Sequence, residues 1–419
     1  MALIRHTFFH ILCFFILLLT RNSFRSKLEL DNIYSTINQV HNTTTSSSLQ
    51  TVQIRKSSTT LFVKNRTLPL LLLSSNTSSI TSLNPLCSRD EIREGSWEPV
   101  FLDAPPYFPK TVHLQCYPES EYKSGKWTHT YEWVPAAASA NKCDFSEWNR
   151  DDFCRLMKRA TILVIGDSLS FEHYRSLGHL LGIHISQFSQ HKSKEEQSNI
   201  VNYVCRKQTR IVYRRDDLLS NVRHAIFEEN TFPQVIVMNR GAHYQNDTML
   251  MSGMGKVATA LNDWKLKCEN FNITCHVLWR TSVPGHPNCA NNNFKRPVNN
   301  IHAMEALIND RSNYNNRTIK YHWFDYQHQN KMVVDMLTKQ QNLLHKTSTP
   351  FFLEIMDAYY LNILRPDEHR AHQGDCLHNC YPGKMDVYNQ LLLHFLKMQR
   401  GQGDVESLFA FYDKRTRER

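Results

Sequence analysis

The stretch "ILVIGDSLSFEHY", Ile162 to Tyr174, decides how this chain is read. Its apolar start does not alternate with polar residues, which is the pattern of a strand buried on both faces. The run stops on Gly166-Asp167-Ser168, and a helical-looking segment follows. Two readings compete. In one, the triplet is a turn and Ser168 is a favoured helix N-cap. In the other, Ser168 is a nucleophile at the carboxyl edge of a parallel sheet. Free backbone N–H groups at a positive helix terminus would then surround it, and such groups stabilise an oxyanion during acyl transfer.

Further apolar runs of the same kind surround this one. "ATILVIG" (160–166), "PQVIVMN" (233–239), "CHVLWR" (275–280), "TIKYHWF" (318–324) and "PFFLEIM" (350–356) read as strands. Between and after them, "SFEHYRSLGHLLG", "LMSGMGKVATALNDWKLKC", "HQNKMVVDMLTKQQNLLHK" and "KMDVYNQLLLHFLKM" read as helices. The last carries Val387, Leu391, Leu392, Phe395 and Leu396 on one face, which would pack on the sheet. Strands alternating with helices predict an α/β fold with a mostly parallel sheet covered on both sides.

A serine hydroxyl needs a base at neutral pH. Near the C-terminus, "HQGDCLHNCYPGKMDVYNQ" places Asp375 and His378 three residues apart. On one helical turn or tight loop they lie side by side, so Asp375 can orient His378 and stabilise its imidazolium. The alternative is a loop acid beside a surface histidine, since the chain has 21 histidines. A third stretch, "VIVMNRGAHYQND", is another strand end with a polar cluster: Asn239, Arg240, Gly241 and His243. An asparagine amide there can donate to an oxyanion, or the cluster is an ordinary turn.

The chain has 419 residues, 41% hydrophobic and 11% aromatic, enough to fill a sizeable core and to exclude disorder throughout. Its net charge of +10 is spread out, the only dense basic run being "DKRTRER" at the end. No nucleic-acid partner is therefore expected. "TFFHILCFFILLLT", Thr7 to Thr20, is apolar between Arg5 and Arg21. As a helix it spans about 21 Å, short for a membrane span but tolerated by a thin early-secretory bilayer. It reads as an uncleaved signal-anchor, the alternative being a cleaved signal peptide.

Residues 1–25 are thus expected to be the anchor and 26–85 a Ser/Thr/Asn-rich stem. The catalytic-type domain would span 86–400, with a charged tail at 401–419. Sequons at Asn42, Asn65, Asn76, Asn246, Asn272 and Asn316 point to a secretory lumen. So do ten cysteines outside the apolar segment: Cys87, Cys116, Cys143, Cys154, Cys205, Cys268, Cys275, Cys289, Cys376 and Cys380. An even set suits disulfides, with connectivity unreadable. There are no paired C-x-x-C knuckles, so no metal site is expected.

Taken in order, these pieces resemble the SGNH/GDSL hydrolase superfamily. The closer likeness is to its PC-esterase branch, which includes the plant trichome birefringence-like polysaccharide O-acetyltransferases. Gly166-Asp167-Ser168 is similar to that branch's G-D-S. Asp375-Cys376-Leu377-His378-Asn379-Cys380-Tyr381-Pro382-Gly383 is similar to its D-C-x-H-W-C-x-P-G. "CSRDEIREGSW" (87–97), "YEWVPAAASANKCDFSEWNRDDFC" (131–154) and "VLWRTSVPGHPNC" (277–289) resemble its flanking segments, the last containing Arg280, Thr281 and His286. The likeness covers about Cys87 to Gln399. Asn379 replaces the family's tryptophan. The family's N-x-G-H-W-W reads Asn239-Arg240-Gly241-Ala242-His243-Tyr244, with the histidine one place later. These departures point to a relative outside the land-plant glycan enzymes.

The resemblance implies an SGNH-like three-layer sandwich and a serine-dependent O-acetyltransferase. Ser168 would be the nucleophile, His378 the base and Asp375 its orienter. The Ser168 N–H and the Asn239 side chain would form the oxyanion hole. Gly166, Asp167, Gly241, His243 and Arg280 would contribute to substrate binding, and Gly178 or Gly182 would stand for the second-block glycine. The acceptor would be a polysaccharide or other glycan. The acetyl donor would be a co-substrate, acetyl-CoA being one candidate, with no bound cofactor. The setting would be the Golgi or another secretory membrane with the domain lumenal, or a secreted form. An acetylesterase with the same residues and a catalytically silent glycan binder are the rival expectations.

Overall fold

The computed structural model describes residues 84–108, 116–183, 199–228, 232–240, 243–244, 246–289, 294–316, 318–344, 351–370 and 374–400. The expected anchor, all but the last two residues of the expected stem, the C-terminal tail and Gly241 lie outside these residues.

Ten strands are described: β1 (Gly95–Leu102), β2 (Trp127–Pro135), β3 (Thr161–Gly166), β4 (Asn199–Val204), β5 (Thr209–Arg215), β6 (Val235–Met238), β7 (Cys275–Arg280), β8 (Phe351–Met356), β9 (His369–Arg370) and β10 (Asp375–Asn379). Five of the helices are labelled α1 (Arg150–Leu156), α2 (Ser168–Leu180), α3 (Asp247–Asn270), α4 (Tyr326–Leu344) and α5 (Lys384–Arg400).

Six strands form one mixed sheet in the order β4-β5-β3-β6-β7-β8. All neighbours run parallel except β4, which pairs antiparallel with β5 at the edge. Side chains alternate between the two faces, and both faces are covered. Ile162 and Val164 of β3, Val235 and Val237 of β6 and Leu278 of β7 pack in one core with α2 and α5. Leu163, Ile165, Ile236, Met238, Val277 and Trp279 pack in another with α3 and α4. This double coverage is why the strands read as continuous apolar runs, and it is compatible with the expected three-layer sandwich. Val387, Leu391, Leu392, Phe395 and Leu396 of α5 are all buried in the first core, as their spacing suggested.

One expected strand is not a strand. "TIKYHWF" forms two 3-10 turns, Ile319–Tyr321 and Trp323–Asp325, joined at His322 in a left-handed conformation (φ 51°, ψ 39°). The Asn315 and Thr318 side chains bond the local backbone and close a turn there. Aromatic and β-branched content mimicked a strand, and local side-chain bonding decided otherwise.

All ten described cysteines pair: Cys87–Cys143, Cys116–Cys380, Cys154–Cys205, Cys268–Cys275 and Cys289–Cys376. The described sequon residues Asn246, Asn272 and Asn316 are exposed.

The sheet order places β3 at a switch point. The chain leaves β3 for β4 and β5 on one side, then returns to β6 on the other. In open α/β sheets, ligands bind beyond the carboxyl ends of the strands at such a point. Ser168 is the second residue after β3.

Candidate active site

The entry to α2 shows which residue caps the helix. Gly166 has φ +148°, and a Cβ there would lie 2.4 Å from Ser170 Oγ and 2.7 Å from the Asn239 carbonyl oxygen. Only glycine fits this crossing of two strand ends. Asp167 then caps the helix, its Oδ1 accepting from the N–H groups of Leu169 (3.0 Å) and Ser170 (3.3 Å). Asp167 is 1% exposed, and Tyr213 Oη donates to its carbonyl at 2.9 Å. The capping role therefore belongs to the aspartate. Ser168 occupies the first helical position, half-buried, with its hydroxyl free of cap duty.

That hydroxyl meets the imidazole of His378, Oγ to Nε2 2.9 Å. On the other side of the ring, Nδ1 lies 2.8 Å from Asp375 Oδ2. The second carboxylate oxygen, Oδ1, accepts from the N–H groups of Leu377 (3.1 Å) and His378 (3.0 Å). Both oxygens are thus occupied, and the carboxylate cannot swing away. With Nδ1–H donating to Asp375, Nε2 is the acceptor facing Ser168. The pair sits on the short strand β10 rather than on a helical turn, where the register with β9 shifts between Asp375 and Asn379.

Burial alone would push the His378 pKa down. The Asp375 hydrogen bond, the Glu172 charge and the Asp375 charge outweigh it and raise the pKa above the ordinary 6.5. Burial pushes Asp375 upward, but the His378 contacts and two backbone N–H groups hold it well below the usual carboxylate range. Side-chain exposures of 28% for His378 and 31% for Asp375 leave the hydrogen-bonded series open to solvent on one side. Two disulfides hold the strand: Cys376 to Cys289, and Cys380 to Cys116.

The remaining sequence candidates divide. Asn239 directly follows β6, beside the end of β3, and is 2% exposed, with Nδ2 donating to the Arg280 carbonyl at 2.8 Å. That bond uses one of its two amide hydrogens. His243 is half-buried on the same carboxyl edge of the sheet, 3.6 Å from Asp217 Oδ2 in the loop after β5.

Arg280 is turned into the protein. It is 1% exposed and its guanidinium donates to the Leu169 carbonyl (3.1 Å) and to Ser170 Oγ (3.4 Å). It braces the first turn of α2, the turn that carries Ser168. Gly178 lies inside α2 and Gly182 just beyond its far end. At 1.5 Å per residue Gly182 is roughly 20 Å along the axis from Ser168, so neither glycine serves the oxyanion. His286 is fully buried, its Nδ1 close to His369 Nε2 and its Nε2 2.9 Å from the Ile363 carbonyl. Burial pushes its pKa down to about 3.

Sequence reasoning missed Glu172 and Arg370. Glu172 is 3% exposed, four residues after Ser168 on α2, and its carboxylate meets Arg370 and Asn379. A carboxylate on the buried face of an otherwise packed helix was the available signal. Its partners, 198 and 207 residues away, were not readable from spacing.

A cavity of about 560 Å³ lies at the other end of the sheet, lined by Arg150, Arg155, Lys158 and Arg206 around the Cys154–Cys205 disulfide. Its lining contains none of Ser168, Asp375 and His378. Among the described residues, no group of histidine, cysteine and acidic side chains could hold a metal ion, and no helix is long and apolar enough to cross a membrane. Comparison with models of protein families and with curated proteins returned no match for this chain.

Proposed function

We propose that the chain is a member of the PC-esterase branch acting as a serine-dependent O-acetyltransferase, moving an acetyl group to a hydroxyl of a glycan through an acyl-enzyme. The observation that carries this reading is the hydrogen-bonded series Ser168 Oγ–His378 Nε2 (2.9 Å) and His378 Nδ1–Asp375 Oδ2 (2.8 Å). It stands at the sheet's switch point, and Asp167, not Ser168, holds the helix cap. A surface histidine and a chance acid would not present both ring nitrogens in this order to a serine at the first position of a helix.

In the first half-reaction, Ser168 Oγ attacks the acyl carbonyl carbon while His378 Nε2 takes its proton. The resulting imidazolium is stabilised by the carboxylate of Asp375, which keeps its own charge. The oxyanion receives the N–H of Ser168, one of the donors that a helix start leaves without an intrahelical partner, and the second Asn239 amide hydrogen. His378 returns the proton to the leaving group as the tetrahedral species collapses. In the second half-reaction, His378 removes the proton of a glycan hydroxyl, whose oxygen attacks the acetyl carbonyl. Collapse releases the acetylated glycan and restores Ser168. The chemistry needs no bound cofactor, and the acetyl donor is consumed as a co-substrate.

Ten cysteines in five pairs and exposed sequons support a secretory-lumen setting. The test is product analysis with an acetyl donor and unacetylated glycans. Acetylated glycan, absent with Ser168→Ala, supports transfer. Free acetate as the sole product in every mixture sinks the transferase and leaves an esterase.

A further inference from the structure

The serine and its base belong to segments that the chain separates by 210 residues. Something must fix the helix carrying one against the strand carrying the other. The disulfides do not do this, because Cys289 and Cys116 lie on other segments. One direct link is a buried carboxylate. Glu172 stands one helical turn after Ser168, and its Oε2 accepts from both the backbone N–H (3.1 Å) and the side-chain Nδ2 (2.8 Å) of Asn379. Asn379, the residue that follows His378, is fully buried. Oε1 of Glu172 meets the guanidinium of Arg370 on β9, and Arg370 Nε donates to the Asn379 carbonyl at 3.1 Å. Asn379 is thus held by its N–H, its side chain and its carbonyl, all through one acid and one arginine.

We infer that Glu172 is a positioning residue: with Arg370 it clamps the His378 strand to the Ser168 helix and so sets the distance between nucleophile and base. This rests on the reading of Ser168 and His378 as the reacting pair. It also accounts for Asn379 at this position. A small amide can present its backbone N–H, its side-chain donor and its carbonyl to one ion pair inside a closed space. No apolar side chain supplies the second donor to Oε2.

The clamp has an electrical consequence of definite sign. Other charges face Glu172 from several elements: Arg175 on its own helix, Arg280 from β7, Arg370 from β9 and Lys384 at the start of α5. His378 in turn faces Asp375, Glu172, Arg370 and His369. Glu172 favours the imidazolium and Arg370 disfavours it. Removing one charge should move the His378 titration down, and removing the other should move it up.

The experiment is an NMR titration of the His378 ring in the intact protein, as wild type, Glu172→Gln and Arg370→Gln, alongside kcat and KM at saturating donor. The midpoint is expected to fall in E172Q and rise in R370Q. In both variants kcat should drop on the order of 10- to 100-fold with KM within about twofold, because a small misplacement of reacting groups carries that cost. A merely loosened fold would shift both midpoints the same way, and that result overturns the clamp. An unchanged midpoint in E172Q overturns it too. Should E172Q fail to fold, Asn379→Ala keeps both charges and removes one donor. There the midpoint should stay and kcat fall, and an unchanged kcat refutes the clamp. The titration needs no turnover, so opposite shifts in a protein that never acetylates Ser168 would sink the catalytic reading and leave the clamp standing.

Discussion

Replacing Asp167 by alanine separates the two roles that the Gly-Asp-Ser triplet could distribute. The aspartate side chain accepts from two backbone N–H groups, at 3.0 and 3.3 Å, from a position 1% exposed. Loss of an N-cap costs about 1 kcal/mol. At a buried site each donor left without a partner adds about 1–3 kcal/mol, partly offset by local relaxation. The sum is a loss of about 2–4 kcal/mol. With an unfolding entropy of roughly 2 cal/mol/K per residue over a domain of roughly 300 residues, this lowers Tm by about 3–6 °C. Asp167→Asn keeps the acceptor and should lose less than half as much. The charge it removes is the leading influence opposing burial at the Arg280 guanidinium, so the loss is not zero. Urea unfolding and thermal melts of the two variants measure the difference. If Asp167→Ala melts within 1 °C of wild type, the cap has been misassigned and Ser168 returns as the capping residue.

The pH dependence has a worked sign. A general base must be neutral, so activity should rise with pH through a midpoint above 6.5, the ordinary histidine value that His378 exceeds; a midpoint below 6 in kcat/KM contradicts this. For stability, the raised His378 pKa contributes fully below 6.5 and is lost as pH climbs through its folded value. The lowered Asp375 pKa contributes above 3.8 and is lost as pH falls through its own. Cys289→Ser should cost roughly 4–5 kcal/mol, because the bridge to Cys376 closes 87 residues. Activity should fall with it, since Cys376 lies between Asp375 and His378; full activity in a folded, destabilised variant would show that the strand holds its geometry without the bridge. Arg280→Met should lower kcat with KM within about twofold, as expected of a brace under Ser170. A raised KM at unchanged kcat would instead make Arg280 a substrate contact.

The strands β3, β6 and β7 and the edge strand β8 were legible because other elements cover them, so they read as apolar runs. The β4–β5 ribbon was not. "NIVNYV" at the edge exposes Val201 and Tyr203, and its alternation is diluted by asparagines. Asp375 and His378 were legible as a pair at a spacing of three, although a shifted β-ribbon, not a helix, brings them together. Arg280 was visible as a residue of the matching segment, but its burial under α2 depends on the packing of β7 against that helix. Glu172 was legible only as an acid on the packed face of a helix; its role depends on partners that the fold supplies.

The proposed mechanism requires that Ser168 become acylated by way of His378. Intact-mass and peptide mapping of the purified protein after incubation with an acetyl donor measure this. The expected result is an acetyl adduct on the peptide carrying Ser168, lost in Ser168→Ala and in His378→Ala. An adduct on another residue, or one at Ser168 that forms equally fast without His378, contradicts it.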